Sequence, residues 1–451
     1  MKSNFSLYFL IFGLIALIMG MGFGITASFQ YIMPEFIKEH FPFSKLRPFH
    51  VTSVVAWIIL CATGCIYFFL SRIEKFKLFS PLLGKLHFFI FLVTGIAIYF
   101  SYAFNHTEGR EYFAFPSVLM IPILMGWILF GINYFKILYQ NVKGWPVYYW
   151  MWGTGIVFMT YHLMEAHFWL FDFFRKDFIK DFAVQWKSTG SFTGSWNMLV
   201  YGISIYIMSK IKKNTTVATN KAAFFFYFLG LTNLMFGWAH HTYLLPTQPW
   251  IRYVAYAISM TEWIVLASII YNWKRSVLKV EKENHPMAYR FLLGTDLWIF
   301  INIIIALLFS IPAINYYTHG THITVAHSMG TTIGINTSIL FSALFFIVHS
   351  LHPHFETNKL WTKRAFVSFN VFLFLFCASL FAAGVKRSYW TYISQNVAFS
   401  DMQDSMVPYY IMFFVFGIGI FISLTSIAVP LFLMLVKGLR EKSAINYRLE
   451  H

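Results

Sequence analysis

A chain of 451 residues that is 58% hydrophobic and only 12% charged is too apolar for a soluble globular protein. Its formal net charge of +16 is carried between long apolar runs, so orientation in a membrane explains the charge better than nucleic-acid binding does. The three cysteines lie inside apolar runs and no CxxCH sequence is present, so the sequence indicates neither a disulfide framework nor covalent attachment of haem c.

The apolar runs predict an all-α polytopic membrane protein with a single domain over residues 1–451. The first run is long and lacks a small-residue cleavage site, so we interpret it as a span and not as a removed signal peptide. Runs of about 20 or more residues bounded by charge, Pro or Gly give twelve transmembrane helices. They cover roughly residues 7–33, 49–71, 84–105, 117–140, 146–172, 191–209, 221–245, 250–272, 291–313, 321–350, 365–385 and 408–437.

The distribution of basic residues predicts which ends of the spans face the cytoplasm. Arg and Lys are concentrated after spans two, six, eight and ten and in the C-terminal tail, so we expect both termini to be cytoplasmic in a bacterial-type inner membrane. The exception is a basic loop on the outer side between spans five and six, which we expect to meet cofactor carboxylates or an acidic partner. Its basic residues are Arg175, Lys176, Lys180 and Lys187.

Two candidate sites occur in the first third of the chain, both at predicted outer ends of spans. His50 begins span two. A Glu-Gly-Arg-Glu-Tyr run follows span three and places the carboxylates of Glu108 and Glu111 around an arginine. It is either a solvated turn or a site for a hard cation such as Ca²⁺, which prefers carboxylate oxygens.

The run His162-Leu-Met-Glu165-Ala-His167 in span five is a candidate metal site. On a helix, Glu165 shares a face with His162 because it lies three residues later, whereas His167 points elsewhere. An imidazole and a carboxylate on one face suit non-haem iron or another transition metal. The alternative is a hydrogen-bonded pair that joins two helices.

Span seven ends on two adjacent histidines, His240 and His241. Because their side chains diverge by about 100° on a regular α-helix, one metal could bind both only where the helix departs from α geometry, which nearby prolines favour. Together with His162 they would make a three-imidazole site. In span eight, Glu262 is a lone carboxyl at membrane depth, either a neutral acid bonded to a backbone carbonyl or a proton donor near a reaction centre.

The segment from His319 to Asn336 opens span ten and carries further candidate ligands. His327 and Met329 are two residues apart, so on a helix they point about 200° away from each other. One helix could therefore hold a ligand towards each of two cofactors. Together with the sites above, all the candidate ligands fall in the outer half of the bilayer, where ionisable side chains need a functional reason.

These motifs together resemble the large catalytic subunit of cytochrome-c-dependent nitric oxide reductase, a branch of the haem-copper oxidase superfamily. The resemblance runs through essentially the whole chain. Its specific parts are the Glu-Gly-Arg-Glu-Tyr run that starts at Glu108 and the Thr-His-Gly-Thr run that leads to His327. The paired histidines of span seven are shared with oxygen reductases. The fold that this implies is a haem-copper oxidase-like bundle of twelve transmembrane helices.

The resemblance also implies roles for individual residues. His50 would be an axial ligand of a low-spin haem b, and His327 would be the proximal ligand of the high-spin haem b3. Glu262 would be a buried acid beside the reaction centre. The ligands of a non-haem iron would include His162, His240 and His241, and the acids that support a Ca²⁺ beside the haem propionates would be Glu108 and Glu111.

The chain departs from the family pattern at two places. Where the family has a second haem b ligand, two residues after the proximal histidine, this chain has Met329, so we predict a haem b bound by His50 and Met329. Where the family has an iron-ligating glutamate, four residues after the first histidine, this chain has Ala166. Because positions i+3 and i+4 share one helical face, Glu165 is our candidate iron ligand and, with Glu262, our candidate for proton delivery.

The resemblance implies an enzyme of denitrification that reduces two nitric oxide molecules to nitrous oxide and water at haem b3 and the non-haem iron. Electrons would come from an external cytochrome c through a small partner subunit that contains haem c, because this chain has no haem c attachment sequence. The lipid bilayer is the remaining partner, and no nucleic acid is expected. Two alternatives stay open: an O₂ reductase with copper at the second metal site, and a non-enzymatic haem or metal transporter or assembly protein.

Overall fold

The computed structural model describes residues 4–258, 260, 284–355, 357, 359–394 and 396–450, except for the side chains of residues 240 and 442–450. Over this range the chain is mainly helical, and its one isolated β-bridge joins Arg110 and Phe113 in a loop. The predicted all-α fold class is therefore confirmed for the described part of the chain.

The helices follow one another without an intervening sheet in the described residues. In chain order they are α1 Phe5–Phe29, α2 Phe43–Phe68, α3 Pro81–Ala103, α4 Met120–Asn141, α5 Val147–Glu165, α6 Asp172–Arg175, α7 Phe178–Ile211, α8 Thr216–Thr219, α9 Lys221–Phe236, α10 Pro286–Ser310, α11 Pro312–Thr318, α12 His322–Met329, α13 Ser338–Leu351, α14 Leu360–Tyr392 and α15 Phe399–Glu450. Residues 249–258 form a further helical segment between α9 and α10. The 3₁₀ helices are Ser117–Leu119, Phe168–Leu170 and Gly237–Thr242, and the π-helical turns are Phe69–Ile73 and Gly330–Thr337.

Nine helical stretches of the described residues are long and apolar enough to cross a membrane. They coincide with nine of the twelve predicted spans. Helices α5 and α7 lie at two more predicted positions, but their Tyr, Trp, Gly and Ser residues make them less apolar. Most of the eighth predicted span, 250–272, lies outside the described residues. The chain is thus a multi-pass helical membrane protein, and the total of twelve spans stays a prediction.

Helix α7 begins at Phe178, well before the predicted start of span six at residue 191. The Asp177 carboxylate caps this helix by accepting hydrogen bonds from the backbone N–H groups of Ile179 and Lys180, both at 3.0 Å. The prediction that Lys180 and Lys187 lie in a loop was therefore wrong. Both residues lie on the first turns of α7.

Contacts between connecting segments define one end of the bundle, which we call the Arg47 end. Arg47, at the start of α2, pairs with Glu111 in the loop after α3. Arg110 of the same loop pairs with Asp181 on α7, with an Nη1–Oδ2 distance of 3.0 Å. The segments that precede α2, follow α3 and precede α7 therefore meet at one end.

A second set of contacts defines the opposite, Glu74 end. Glu74, just after α2, accepts a hydrogen bond from the Tyr206 hydroxyl and pairs with Lys210 on α7, both at 2.6 Å. Arg72 donates to Asn4 at the start of α1, with an Nη2–Oδ1 distance of 2.8 Å. The chain therefore passes back and forth between two ends, as the predicted alternation of spans requires.

The cations expected to form an open basic loop at the Arg47 end are paired with acids. The pairs are Arg175 and Lys176 with Asp172, Lys180 with Asp177, and Lys187 with Glu165. Lys176 and then Arg175 hold the pKa of the exposed Asp172 carboxyl below its usual value. These basic residues are therefore paired with acids of the same segment or, for Lys187, with an acid of α5.

Candidate cofactor and metal site

A cavity of about 1060 Å³ lies among α1, α2, α7, α10, α12 and the later helices. Pockets for one small ligand usually measure roughly 300–1,000 Å³. The wall of this cavity includes four of the predicted ligands, His50, His241, His327 and Met329. Its volume and its imidazole and thioether donors fit more than one large, metal-containing cofactor.

Two glycines of α1 fix the ring of His50. The His50 Nδ1 atom donates to the Gly20 carbonyl oxygen at 2.7 Å. A Cβ atom on Gly24 would lie only 2.8 Å from the same ring, so the absence of a side chain there gives the imidazole its space. Because Nδ1 donates, Nε2 is the unprotonated nitrogen that can bind a metal.

His327 and Met329 lie in the last turn of α12, on the wall of the same cavity as His50. The Nδ1 atom of His327 is buried and has no hydrogen-bond partner among the described residues. The ring packs edge-on against Phe309, with ring centres 5.8 Å apart. A buried imidazole whose Nδ1 atom lacks a partner in the described part of the chain fits a haem ligand.

A π-helical turn, Gly330–Thr337, follows Met329 directly, and such turns often occur at functional sites. A Cβ atom on Gly330 would collide with Asn302, and one on Gly334 would collide with Trp298. The two glycines therefore let the π-helical turn lie close against α10. This close approach positions the end of α12 that carries the predicted haem ligands.

His162 and Glu165 share one face of α5, as their spacing predicted, and they form the hydrogen-bonded pair that was the alternative to a metal site. The His162 Nδ1 atom donates to Glu165 Oε2 at 2.8 Å, and the other carboxylate oxygen, Oε1, pairs with Lys187. The Nε2 atom of His162 is buried without a hydrogen-bond partner among the described residues. His162 and Lys187 line a second cavity of about 310 Å³, to which Trp238 also contributes.

His241 lies on the wall of the large cavity, where its ring stacks on Trp186 with ring centres 5.4 Å apart. Helix α9 ends at Phe236 and a 3₁₀ helix, Gly237–Thr242, carries both adjacent histidines, so the predicted departure from α geometry is present. The His240 side chain and Glu262 lie outside the described residues. Among the described side chains, no three His, Cys, Asp or Glu residues cluster as metal ligands. The three-imidazole site therefore stays a prediction.

The two acids predicted to support Ca²⁺ have different protein partners. Glu108 Oε2 accepts a hydrogen bond from the backbone N–H of Ser117 at 3.0 Å. Glu111 pairs with Arg47, and both of these residues line the large cavity. The loop thus brings one acid and one arginine to the cavity wall, and the calcium site stays a prediction.

The structure adds Arg387, which the sequence did not single out as a site residue, and it pairs Lys187 of the expected basic segment with Glu165. Arg387 lines the large cavity as Arg47 does, and its guanidinium lies 4.7 Å from the centre of the Trp390 ring. The available signal was a Lys-Arg pair at the predicted outer end of span eleven. Two guanidinium groups on the wall suit the carboxylates of a cofactor.

Comparisons with known proteins identify the family of the chain and proteins with a similar fold. The family model described as cytochrome c and quinol oxidase polypeptide I matches residues 4–419. The chain is 20% identical to a nitric oxide reductase subunit of Stutzerimonas stutzeri, in a match that covers 92% of this chain and 91% of that protein. Its fold is similar to that in a cryo-EM structure of a haem-copper terminal oxidase dimer, with a TM-score of 0.71, 12% identity, and coverage of 97% of this chain and 84% of the other.

Proposed function

Because the chain belongs to the cytochrome c and quinol oxidase polypeptide I family, we propose that it is the catalytic subunit of a nitric oxide reductase. The observation that carries the proposal is the cavity whose wall combines His50, His241, His327 and Met329. Preference for nitric oxide over O₂ is supported by the similarity, over nearly the full length of both chains, to the nitric oxide reductase subunit of Stutzerimonas stutzeri.

Each proposed cofactor is assigned its own ligand residues. We assign His50 and Met329 to a low-spin haem b, and His327 to a high-spin haem b3. His162, His240 and His241 are assigned to a non-haem iron. When bound, haem b3 and the iron supply two metal centres at which two nitric oxide molecules, two electrons and two protons give nitrous oxide and water.

The chain itself orients these groups. The Gly20 carbonyl fixes the His50 ring so that Nε2 is the metal-binding atom. Arg47 and Arg387 on the cavity wall attract carboxylates, as the propionates of a haem require. Glu262 is the proposed proton carrier beside the reaction centre.

We also propose an electron donor, a partner subunit, a bound Ca²⁺ and a membrane orientation for the enzyme. Electrons come from an external cytochrome c through a small subunit that contains haem c. A Ca²⁺ held near Glu108 and Glu111 lies beside the haem propionates. Both termini are cytoplasmic and the reaction centre lies in the outer half of the membrane, an orientation supported by the two opposite ends of the bundle and the basic residues of the turns.

One observation favours a second candidate, an O₂ reductase with copper at the second metal. Glu165 is the candidate carboxylate ligand beside His162 among the described residues, and its two oxygens are engaged by His162 and Lys187. A site with imidazole ligands alone suits copper as well as iron. A transporter or assembly protein is disfavoured because residues 4–419 match the model of a family of respiratory catalytic subunits.

The purified complex distinguishes these functions. We expect anaerobic consumption of nitric oxide with one N₂O formed for each two NO consumed, and one iron per chain beyond that of the haems. Rapid O₂ consumption, negligible N₂O and one copper per chain would instead establish the second candidate. A protein with neither activity and less than stoichiometric haem would contradict both.

A further inference from the structure

Glu165 is held between two donors that come from different helices. Its Oε2 atom accepts from Nδ1 of His162, one turn earlier on α5, at 2.8 Å. Its Oε1 atom pairs with Nζ of Lys187, which lies on α7. The carboxylate side chain is only 8% exposed, so these two contacts replace most of its hydration.

The contact with Glu165 decides which nitrogen of His162 is available. An imidazole that donates its Nδ1–H to a carboxylate has an unprotonated Nε2, and such carboxylate–imidazole pairs orient metal-binding histidines in many proteins. The Nε2 atom of His162 is buried and lacks a hydrogen-bond partner among the described residues. The geometry therefore presents Nε2 as a ligand and Glu165 as its support.

Lys187 supplies the countercharge that a buried carboxylate requires. Its ammonium group lies 5.3 Å from the centre of the Tyr161 ring, and its side chain is 28% exposed. A buried carboxylate without a cation is strongly unfavourable. Because Lys187 comes from α7, it also ties the orientation of His162 on α5 to the neighbouring helix.

We propose that Glu165 and Lys187 are positioning residues for His162, and that the second metal is held by imidazoles without a carboxylate ligand. This inference rests on the proposed metal site and changes one of its expected ligands. The position that would carry a ligating acid is occupied by Ala166, and Glu165 acts through the His162 ring. A site with imidazole ligands alone carries less negative charge than one with a carboxylate ligand, and it suits copper as well as iron.

The test compares Glu165→Gln, Glu165→Ala and Lys187→Met in the purified complex, with retention of the second metal against a chelator as the measurement. Glu165→Gln retains an oxygen that accepts from Nδ1–H, so its metal retention should stay close to that of the wild type. Glu165→Ala removes the acceptor and should weaken metal binding roughly 10–100-fold. Lys187→Met should weaken binding too, because the carboxylate loses the cation that holds it against His162.

Lys210→Met is the matched control, because Lys210 pairs with Glu74 at 2.6 Å at the opposite end of the bundle. It should lower thermal stability as Lys187→Met does but leave metal retention unchanged. Equal loss of metal in Glu165→Gln and Glu165→Ala would identify Glu165 as a ligand and overturn the inference. Unchanged retention in Glu165→Ala or Lys187→Met would overturn it as well.

The outcomes separate this inference from the proposed function. A wild-type complex that retains the second metal and shows the expected pattern of variants, but forms no N₂O, would contradict only the proposed function. A complex that forms N₂O but loses metal equally in both Glu165 variants would contradict only the positioning role. A wild-type complex with two haems and no second metal would overturn both.

Discussion

Met329 occupies the position where the resemblance to nitric oxide reductases implies a second ligand of haem b. It lines the same cavity as His50. A thioether ligand opposite an imidazole raises the reduction potential relative to two imidazoles. Met329→His should therefore lower the midpoint potential of the low-spin haem and remove the His/Met band from the near-infrared magnetic circular dichroism spectrum. If both stay as in the wild type, Met329 does not bind the haem.

Gly24 tests the position of His50 from the opposite helix. A Cβ atom at Gly24 would lie 2.8 Å from the His50 ring, so Gly24→Ala should displace the imidazole from its hydrogen bond to Gly20. Overpacking of this kind costs about 1–3 kcal/mol. We expect partial loss of the low-spin haem signal in the reduced-minus-oxidised spectrum.

Gly22 provides the control for Gly24, because a Cβ atom there has no described neighbour within 4 Å. Gly22→Ala should retain the full low-spin haem signal. Equal spectra of the two variants would show that the close approach of Gly24 to His50 does not position the ligand.

The lowered pKa of His285 makes the free energy of unfolding depend on pH. His285 precedes α10, where burial, with His349 and Lys213 nearby, lowers its pKa to about 4, below the roughly 6.5 of an unfolded chain. Between these two pKa values the unfolded state binds more protons than the folded state does. The stability that comes from burying the neutral His285 ring is therefore complete above about pH 6.5 and is lost as the pH falls towards 4. His285→Gln should therefore make the thermal midpoint less sensitive to pH in this window. If the thermal midpoint of the variant depends on pH as steeply as that of the wild type, the pKa of His285 is not lowered by folding.

At the scale of elements, the close approach of the π-helical turn to α10 carries a further prediction. Gly334→Ala places a Cβ atom against Trp298, so the turn and α10 must separate. We expect a lower thermal midpoint and weaker retention of both haems, because the predicted ligands lie at the start of the turn. Gly95→Ala is the control, since a Cβ atom there has no described neighbour within 4 Å. Equal midpoints and haem contents in the two variants would contradict this role.

Local signals explain which elements could be predicted from the sequence. Apolar runs identify spans because hydrophobicity is a property of the segment itself. The shared face of His162 and Glu165 follows from helical spacing, and their hydrogen bond is present. The start of α7 was missed because its first turns are polar and its cap, Asp177, precedes the apolar run by more than three turns.

Tertiary contacts account for what the sequence could not indicate. Lys187 and Glu165 come from different helices, and no spacing rule relates two residues that are brought together only by the packing of α5 on α7. The same holds for Arg387, whose position on the cavity wall follows from the packing of α14. Helix packing, and not spacing in the sequence, therefore determines which side chains orient and neutralise the predicted ligands.

At the scale of the whole molecule, packing brings residues from distant parts of the chain to one cavity. His50 and Met329 belong to α2 and α12, and both line its wall. The similarity of the fold to a haem-copper terminal oxidase extends over 97% of the chain. The bundle is thus a scaffold in which several helices contribute side chains to one shared cavity.

The proposed function requires that the helical bundle hold two haems and a further metal. The most direct test is the haem and metal content of the purified complex, with the b-type haems counted by the pyridine haemochromogen assay and iron and copper measured on the same sample. We expect two b-type haems and one additional metal ion per chain. One b-type haem or none per chain would contradict it.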